Sequence, residues 1–195
     1  SSFNVIDLRT TALPTVNLTA GSLVNSLGGG ILFRAPGLGL TSTIKFTAAP
    51  TLTGANGAAG TPSVSIIAGA FGEDALLGSG SGFVTHDANG VRLLSALEYD
   101  STITSGAATQ TNVSLSSPVT GINAATTINS LRLLNGSSVA GTGTLNVAAG
   151  AVLVPTGATA SIGVDSLAGA ASMHIRNNGV LAISSKLSST TVNFS

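Results

Sequence analysis

Cysteine and tryptophan are absent from the 195 residues, methionine and tyrosine occur once each, and only 7% of the side chains are charged. Without cysteine there is no disulfide framework and no thiolate metal site. An ordinary soluble domain carries roughly a quarter of its residues as charges; here seven Lys and Arg balance seven Asp and Glu. That balance leaves no basic footprint to displace counterions along phosphates, so nucleic acid is not an expected partner. It equally removes a polybasic route to anionic membranes. Apolar runs are short: Ala148 to Val154 and Ile31 to Phe33 fall well below the ~18–20 residues of a membrane span, so this segment is not expected to insert. The opening SSFNVIDLRT lacks the basic-then-apolar layout of a signal peptide, which points to a processed chain or a segment of a longer one.

What is present argues for folding. Mean hydropathy is +0.51 with 43% hydrophobic residues, the reverse of the low-hydrophobicity, high-charge signature of disorder. About a quarter of the positions are Ser or Thr, and there are 25 Gly, so the surface is made of uncharged polar groups. Apolar residues alternate at period two in many short runs. Examples are Val16-Asn17-Leu18, Ile44-Lys45-Phe46, Val64-Ser65-Ile66, Val113-Ser114-Leu115, Leu131-Arg132-Leu133, Leu145-Asn146-Val147, Leu181-Ala182-Ile183 and Val192-Asn193-Phe194. Gly, Asn, Ser, Thr or Pro bound each run, the signature of half-buried strands. Asn-Gly pairs at 56–57, 89–90, 135–136 and 178–179 supply positive-φ corners. A helical pattern arises once, over Asp87–Asp100, where Val91, Leu94 and Leu97, with Tyr99 close by, share a face; a short helix or a turn is expected there.

Three segments line up, Leu131–Gly136, Val152–Gly157 and His174–Gly179, each closing on a glycine. Leu131, Leu153 and Ile175 recur at one even spacing, and Leu145 and Leu167 share it. That spacing, a period near 22 built of short strands, is the size of one β-solenoid coil. The expected fold is therefore all-β, a parallel β-helix (β-solenoid) with ~22-residue coils stacked about 4.8 Å apart. Roughly nine such coils would make a rod about 43 Å long. Residues 1–195 read as a single elongated solenoid segment with a weaker break near 70–110; a β-sandwich or jelly roll is the alternative. Stacked coils place equivalent residues in ladders, where like charges repel and Ser, Thr and Asn can bond along the row. Low charge follows from that arrangement.

The stretch TTINSLRLLNGSSVAGTGTLNVAAGAVLV (Thr126–Val154), with SMHIRNNGVLAISSKL (Ser172–Leu187), resembles the autotransporter-associated β-strand repeat of long bacterial surface proteins. GFVTHDANGVRLL (Gly82–Leu94) resembles a linker common in such chains. The likeness covers residues 82–195, with a looser echo in GGGILFRAPG and TSTIKF. It implies a right-handed parallel β-helix, secreted as a passenger by a separate C-terminal β-barrel. No barrel-like strands with aromatic girdles occur among seven aromatics.

Parallel β-helices also host enzymes acting on polysaccharides, which need paired carboxylates or a carboxylate with a base. The candidates are Glu73-Asp74, His86-Asp87 and Glu98 with Asp100. Strand neighbours point to opposite faces, so Glu73 and Asp74 share a site only from a loop. His86-Asp87 has the residue types of a base and its orienting carboxylate, but Asp87 or Asn89 as a helix N-cap is the simpler role. His174 beside Arg176 reads as a solvent-facing ladder position. No G-x-S-x-G elbow, calcium loop or nonapeptide array is present. The glycine runs Gly28–Gly30 and Gly78–Gly82 lack the Lys-Ser/Thr of a phosphate loop. Asn17, Asn112, Asn135 and Asn193 fit glycosylation acceptors that arise by chance in so Ser- and Thr-rich a chain, and Leu13-Pro14-Thr15-Val16 is a near miss to a sorting signal. No catalytic, cofactor-binding or metal-binding residue and no cofactor is therefore expected. The expected role is a non-catalytic shaft or adhesin segment of an extracellular bacterial surface protein, its partners being neighbouring repeats or copies of itself. A self-assembling filament subunit and a binder of surface polysaccharide are the alternatives.

Overall fold

The computed structural model describes residues 3–9, 16–24 and 29–195. About half of the residues are strand and 2% helical, and parallel coils of about 22 residues stack into a β-solenoid of about four turns. In chain order the strands of the first half are β1 (Phe3–Asp7), β2 (Asn17–Ala20), β3 (Gly30–Arg34), β4 (Thr43–Phe46), β5 (Ala70–Glu73), β6 (Gly82–Asp87) and β7 (Gly90–Leu93). A single 3-10 turn, Ala96–Glu98, follows. The second half holds β8 (Asn112–Leu115), β9 (Pro118–Val119), β10 (Thr126–Leu133), β11 (Ser138–Ala140), β12 (Thr144–Val154) and β13 (Thr159–Gly163). It continues with β14 (Ser166–Gly169), β15 (Ser172–Asn177), β16 (Val180–Ile183), β17 (Lys186–Ser188) and β18 (Thr191–Phe194).

The solenoid occupies the second half and has three faces, each with an inward apolar ladder. Leu145, Leu167 and Leu187 stack on the first face. Val113, Leu131, Val152, Ile175 and Phe194 stack on the second. Val119, Val139, Ile162 and Ile183 stack on the third. The members up to the penultimate coil are almost all fully buried, and each such side chain stabilises the coil by about 1.5–3 kcal/mol relative to exposure. β12 turns the corner between the first two faces. Its register against β10 slips between Val147 and Ala151, at Gly150, whose φ is +60. A Cβ there would stand 2.2 Å from the Ser172 carbonyl oxygen, so only glycine fits. Gly136 and Gly157, both at φ +79, mark the next corner, as their alignment in the sequence suggests.

The alignment of Leu131, Leu153 and Ile175 is one residue off. The residue between Leu131 and Ile175 in the ladder is Val152, while Leu153 pairs with Arg132 and Arg176 and points outward. The cause is that the second half of β12 is buried on both faces, so period-two alternation vanishes there.

The first half forms a shorter parallel stack of its own, β1-β3-β5, with β2 on β4 beside it. An antiparallel hairpin, β6–β7, then closes the sheet. The helix considered over Asp87–Asp100 is thus a hairpin turn, strand β7 and the short 3-10 turn. One side of this sheet buries Ile31 and Phe33 with Ile44, Phe46, Val84 and Val91. The other side carries a row of Leu32, Phe71 and Phe83, which packs on Ala149, Ala151 and Leu153 of the solenoid's second face. In place of nine coils in one rod, the four-turn solenoid has a second sheet laid against its flank.

Candidate functional site

The charged side chains collect into small clusters, and each cluster can be followed from its strand register. Asp7, Arg34 and Glu73 stack across β1, β3 and β5 as an acid–base–acid ladder. Arg34 donates to Asp7 Oδ2 at 2.7 Å and to the Gly78 carbonyl at 2.7 Å. The bond from Arg34 outweighs burial and holds the Asp7 carboxyl below its usual range. Glu73 and Asp74 diverge from there. Glu73 accepts from the Gly80 amide, whereas Asp74 accepts from the amides of Gly37 and Leu38. Both carboxylates fasten loops.

His86 and Asp87 lie at the tip of the β6–β7 hairpin, beside a cleft of about 260 Å³ lined by Asn56, Ser65, Thr85 and Arg92 as well. They do not form a base–carboxylate pair. Asp87 accepts from the Asn89 amide at 2.8 Å, closing the hairpin turn, and from Arg92 Nε at 2.7 Å. It is therefore no helix N-cap. His86 leans on the Phe46 ring, 6.1 Å between centroids, with Nε2 enclosed and unpartnered. Burial, more than its neighbours, lowers its pKa.

Glu98 is buried at 1% exposure. Arg92 grips it with two bonds of 2.7 Å, and the amides of Gly60 and Ser95 donate to it at 2.9 and 2.8 Å. Burial alone would raise its pKa; these donors overcome that and bring it to about 2. A carboxylate so held stays ionised at neutral pH and is not available to donate a proton. Asp100 contributes its backbone to the first coil, with amide and carbonyl bonded to Asn112 and Ser114.

The largest polar assembly lies between the two halves. Asn112 Oδ1 accepts from Asn129 at 2.8 Å and from Ser130 at 2.9 Å, and its Nδ2 donates to the carbonyls of Pro62 and Val64. Arg176 and Asn178 donate to the Ser79 carbonyl within the Gly78–Gly82 run. Tyr99 takes the Phe83 amide on its hydroxyl, with the Arg132 guanidinium 5.3 Å above its ring. His174 is not a solvent-facing ladder residue; it is 7% exposed, under the first-half sheet.

Sequence reasoning passed over Arg92 and Asn129. Ser95-x-x-Glu98, the capping-box spacing, was the one local signal for the buried Glu98; the rest depend on contacts remote in sequence. Among the acceptor asparagines, Asn112 is fully buried while Asn17 and Asn135 are exposed. Leu13 to Thr15 and Gly28 lie outside the described residues. Among the described residues, no group of three or more His, Asp or Glu stands close enough to hold a metal ion. No protein-family model, curated protein or solved structure matches the chain. The fold therefore defines a parallel β-solenoid with a flanking sheet.

Proposed function

We propose that this chain is a structural, non-catalytic segment of an extracellular bacterial surface protein, a stiff shaft that holds other parts away from the cell. The observation that carries the reading is the asymmetry of the solenoid's two ends. At its start, residues 100–108 lie on the first coil, with Ile103 in the core and Ala108 bridged to Thr127. At the far end β16, β17 and β18 each pair on one side only among the described residues. Val180 is 62% exposed there. Edge strands are normally blunted or covered, and this edge has the register and apolar rows to receive a further coil. Ser and Thr rows such as Ser166 with Ser188 keep the outer surface wet without charge. The resemblance to autotransporter repeats supplies the extracellular setting.

The test is protease shaving and immunogold electron microscopy of intact source cells. Labelled rods outside the outer membrane are expected, and a signal confined to the cytoplasm would overturn the reading. The same open edge favours a second reading, a filament subunit whose copies stack end to end. Filaments growing from purified chain, with an axial subunit repeat, would select it over the shaft.

A further inference from the structure

We propose that the joint between the first-half sheet and the solenoid is opened by acid through protonation of His174. His174 stands in the outward row of the second face, in register with Ala151 on one side and Asn193 on the other. The first-half sheet closes over it at Gly69. A Cβ at that glycine would lie 2.9 Å from His174 Nε2, so backbone rests directly on the imidazole. Nδ1 is enclosed with no hydrogen-bond partner. An imidazolium must satisfy both ring N–H groups and its charge; Nδ1 has no acceptor here, and among the described residues no counter-charge acts on the ring.

The surroundings can be enumerated. On its own strand the next residue on the same face is Arg176, a cation that donates to the Ser79 carbonyl. From β12 come Ala151 and Leu153, and Arg132 lies beyond Leu153 in the next row. From β18 comes Asn193, whose Nδ2 is enclosed without an acceptor. From the first-half sheet come Gly69 and its neighbours Ala68 and Ala70, none of them titratable. Among the described residues no carboxylate acts on His174; burial is the whole cause of its lowered pKa. The side-chain donors Asn112, Asn129, Arg176 and Asn178 end across the joint on backbone carbonyls of Thr53, Pro62, Val64, Ser79 and Gly80, which do not titrate, and Tyr99, which takes the Phe83 amide beneath Arg132, is pushed above its ordinary value of 10.0 by burial. Among the described residues His174 is therefore the group at this joint that changes charge between about pH 5 and 8. Because neutral imidazole is favoured in the closed state, closure is fully stabilised above the ordinary histidine value of about 6.5. It weakens as pH falls below that, by up to about tenfold in the opening constant per pH unit.

The experiment is hydrogen exchange on the full chain at pH 7.5 and 5.0, corrected for intrinsic exchange. It reads the Asn112 amide, which donates across the joint to the Pro62 carbonyl, against Leu145–Val147 in the solenoid interior. Wild type is expected to lose protection at the joint, by at most about thirtyfold, while the interior amides change little. His174→Gln, neutral at both pH values, is expected to abolish the difference, and His86→Gln to leave it intact. An equal pH response in His174→Gln, or equal loosening of Leu145–Val147, would overturn the proposal. If His174→Gln does not fold, proton NMR titration of the wild-type imidazoles decides. A His174 resonance that titrates near 6.5 while the joint stays protected would overturn it, and a depressed midpoint coinciding with opening supports it.

Discussion

The two halves of the molecule use parallel strand stacking in different ways. The second half is nearly pure ladder: after Asp100 the charged residues are Arg132, Asp165, Arg176 and Lys186 alone, and Phe194 is the single aromatic. Its inward row climbs in nearly even steps from Val113 to Leu131, Val152 and Ile175, so each coil satisfies the backbone of the next. The first half has the remaining charges and aromatics. Its coils are longer and uneven, the step from Leu32 to Phe71 far exceeding that from Val5 to Leu32, and an antiparallel hairpin stops the stack. Regular coils need little beyond apolar rows and small corners. Uneven coils leave loops that must be fastened individually, and there the buried ion pair, the loop-clamping carboxylates and the T-shaped Phe33–Phe46 contact occur.

The sharpest break in that comparison comes from two neighbouring residues. Val152→Asp puts an unpaired charge inside the ladder, a loss of about 4 kcal/mol or more against a total stability of roughly 5–15 kcal/mol. Far-UV circular dichroism should show the solenoid lost. Leu153→Asp, one residue along, should release the flanking sheet while exchange protection at Leu145–Val147 survives. If both variants unfold the whole chain alike, the halves are one cooperative unit.

Arg92→Ala leaves Glu98 buried without its guanidinium and should cost about 3–5 kcal/mol, read as a lower urea midpoint for the first-half signals. With Glu98 held at about 2 against an ordinary value of 4.5, its contribution is present above pH 4.5 and lost as pH falls towards 2. That is about 3 kcal/mol across the window, and Glu98→Gln should flatten it. A slope unchanged in that variant would place the acid sensitivity elsewhere. Leu153→Ala should cost about 2–5 kcal/mol, seen as faster proteolysis of the first half at unchanged solenoid protection. Ser166→Ala, on the exposed ladder with Ser188, should shift the urea midpoint by no more than about 0.5 kcal/mol equivalent.

Legibility tracked solvent contact. Where one face of a strand meets water, as in Leu145-Asn146-Val147, the alternation in the sequence marks the inward residues correctly. Where both faces are covered, in Ala148–Val154, apolar residues run on and Leu153 is mistaken for Val152. The candidate carboxylates were visible as residues but their roles were not. Glu73 and Asp74 hold loops in opposite directions, and Glu98 is fixed by Arg92 and by the remote Gly60. His174 looked like an outward residue, correctly, but nothing local reveals what covers that outward face.

Period-two alternation, recurring glycine corners and scarce charge were enough to determine a parallel β-solenoid with coils of about 22 residues, because those features arise from contacts between adjacent coils. Which outward face becomes a second interior was decided only in three dimensions. The first-half sheet covers one face of three, turning Leu153 and His174 from surface into core. Such burial depends on contacts far apart in the chain, such as Arg176 with Ser79, and no local pattern encodes them.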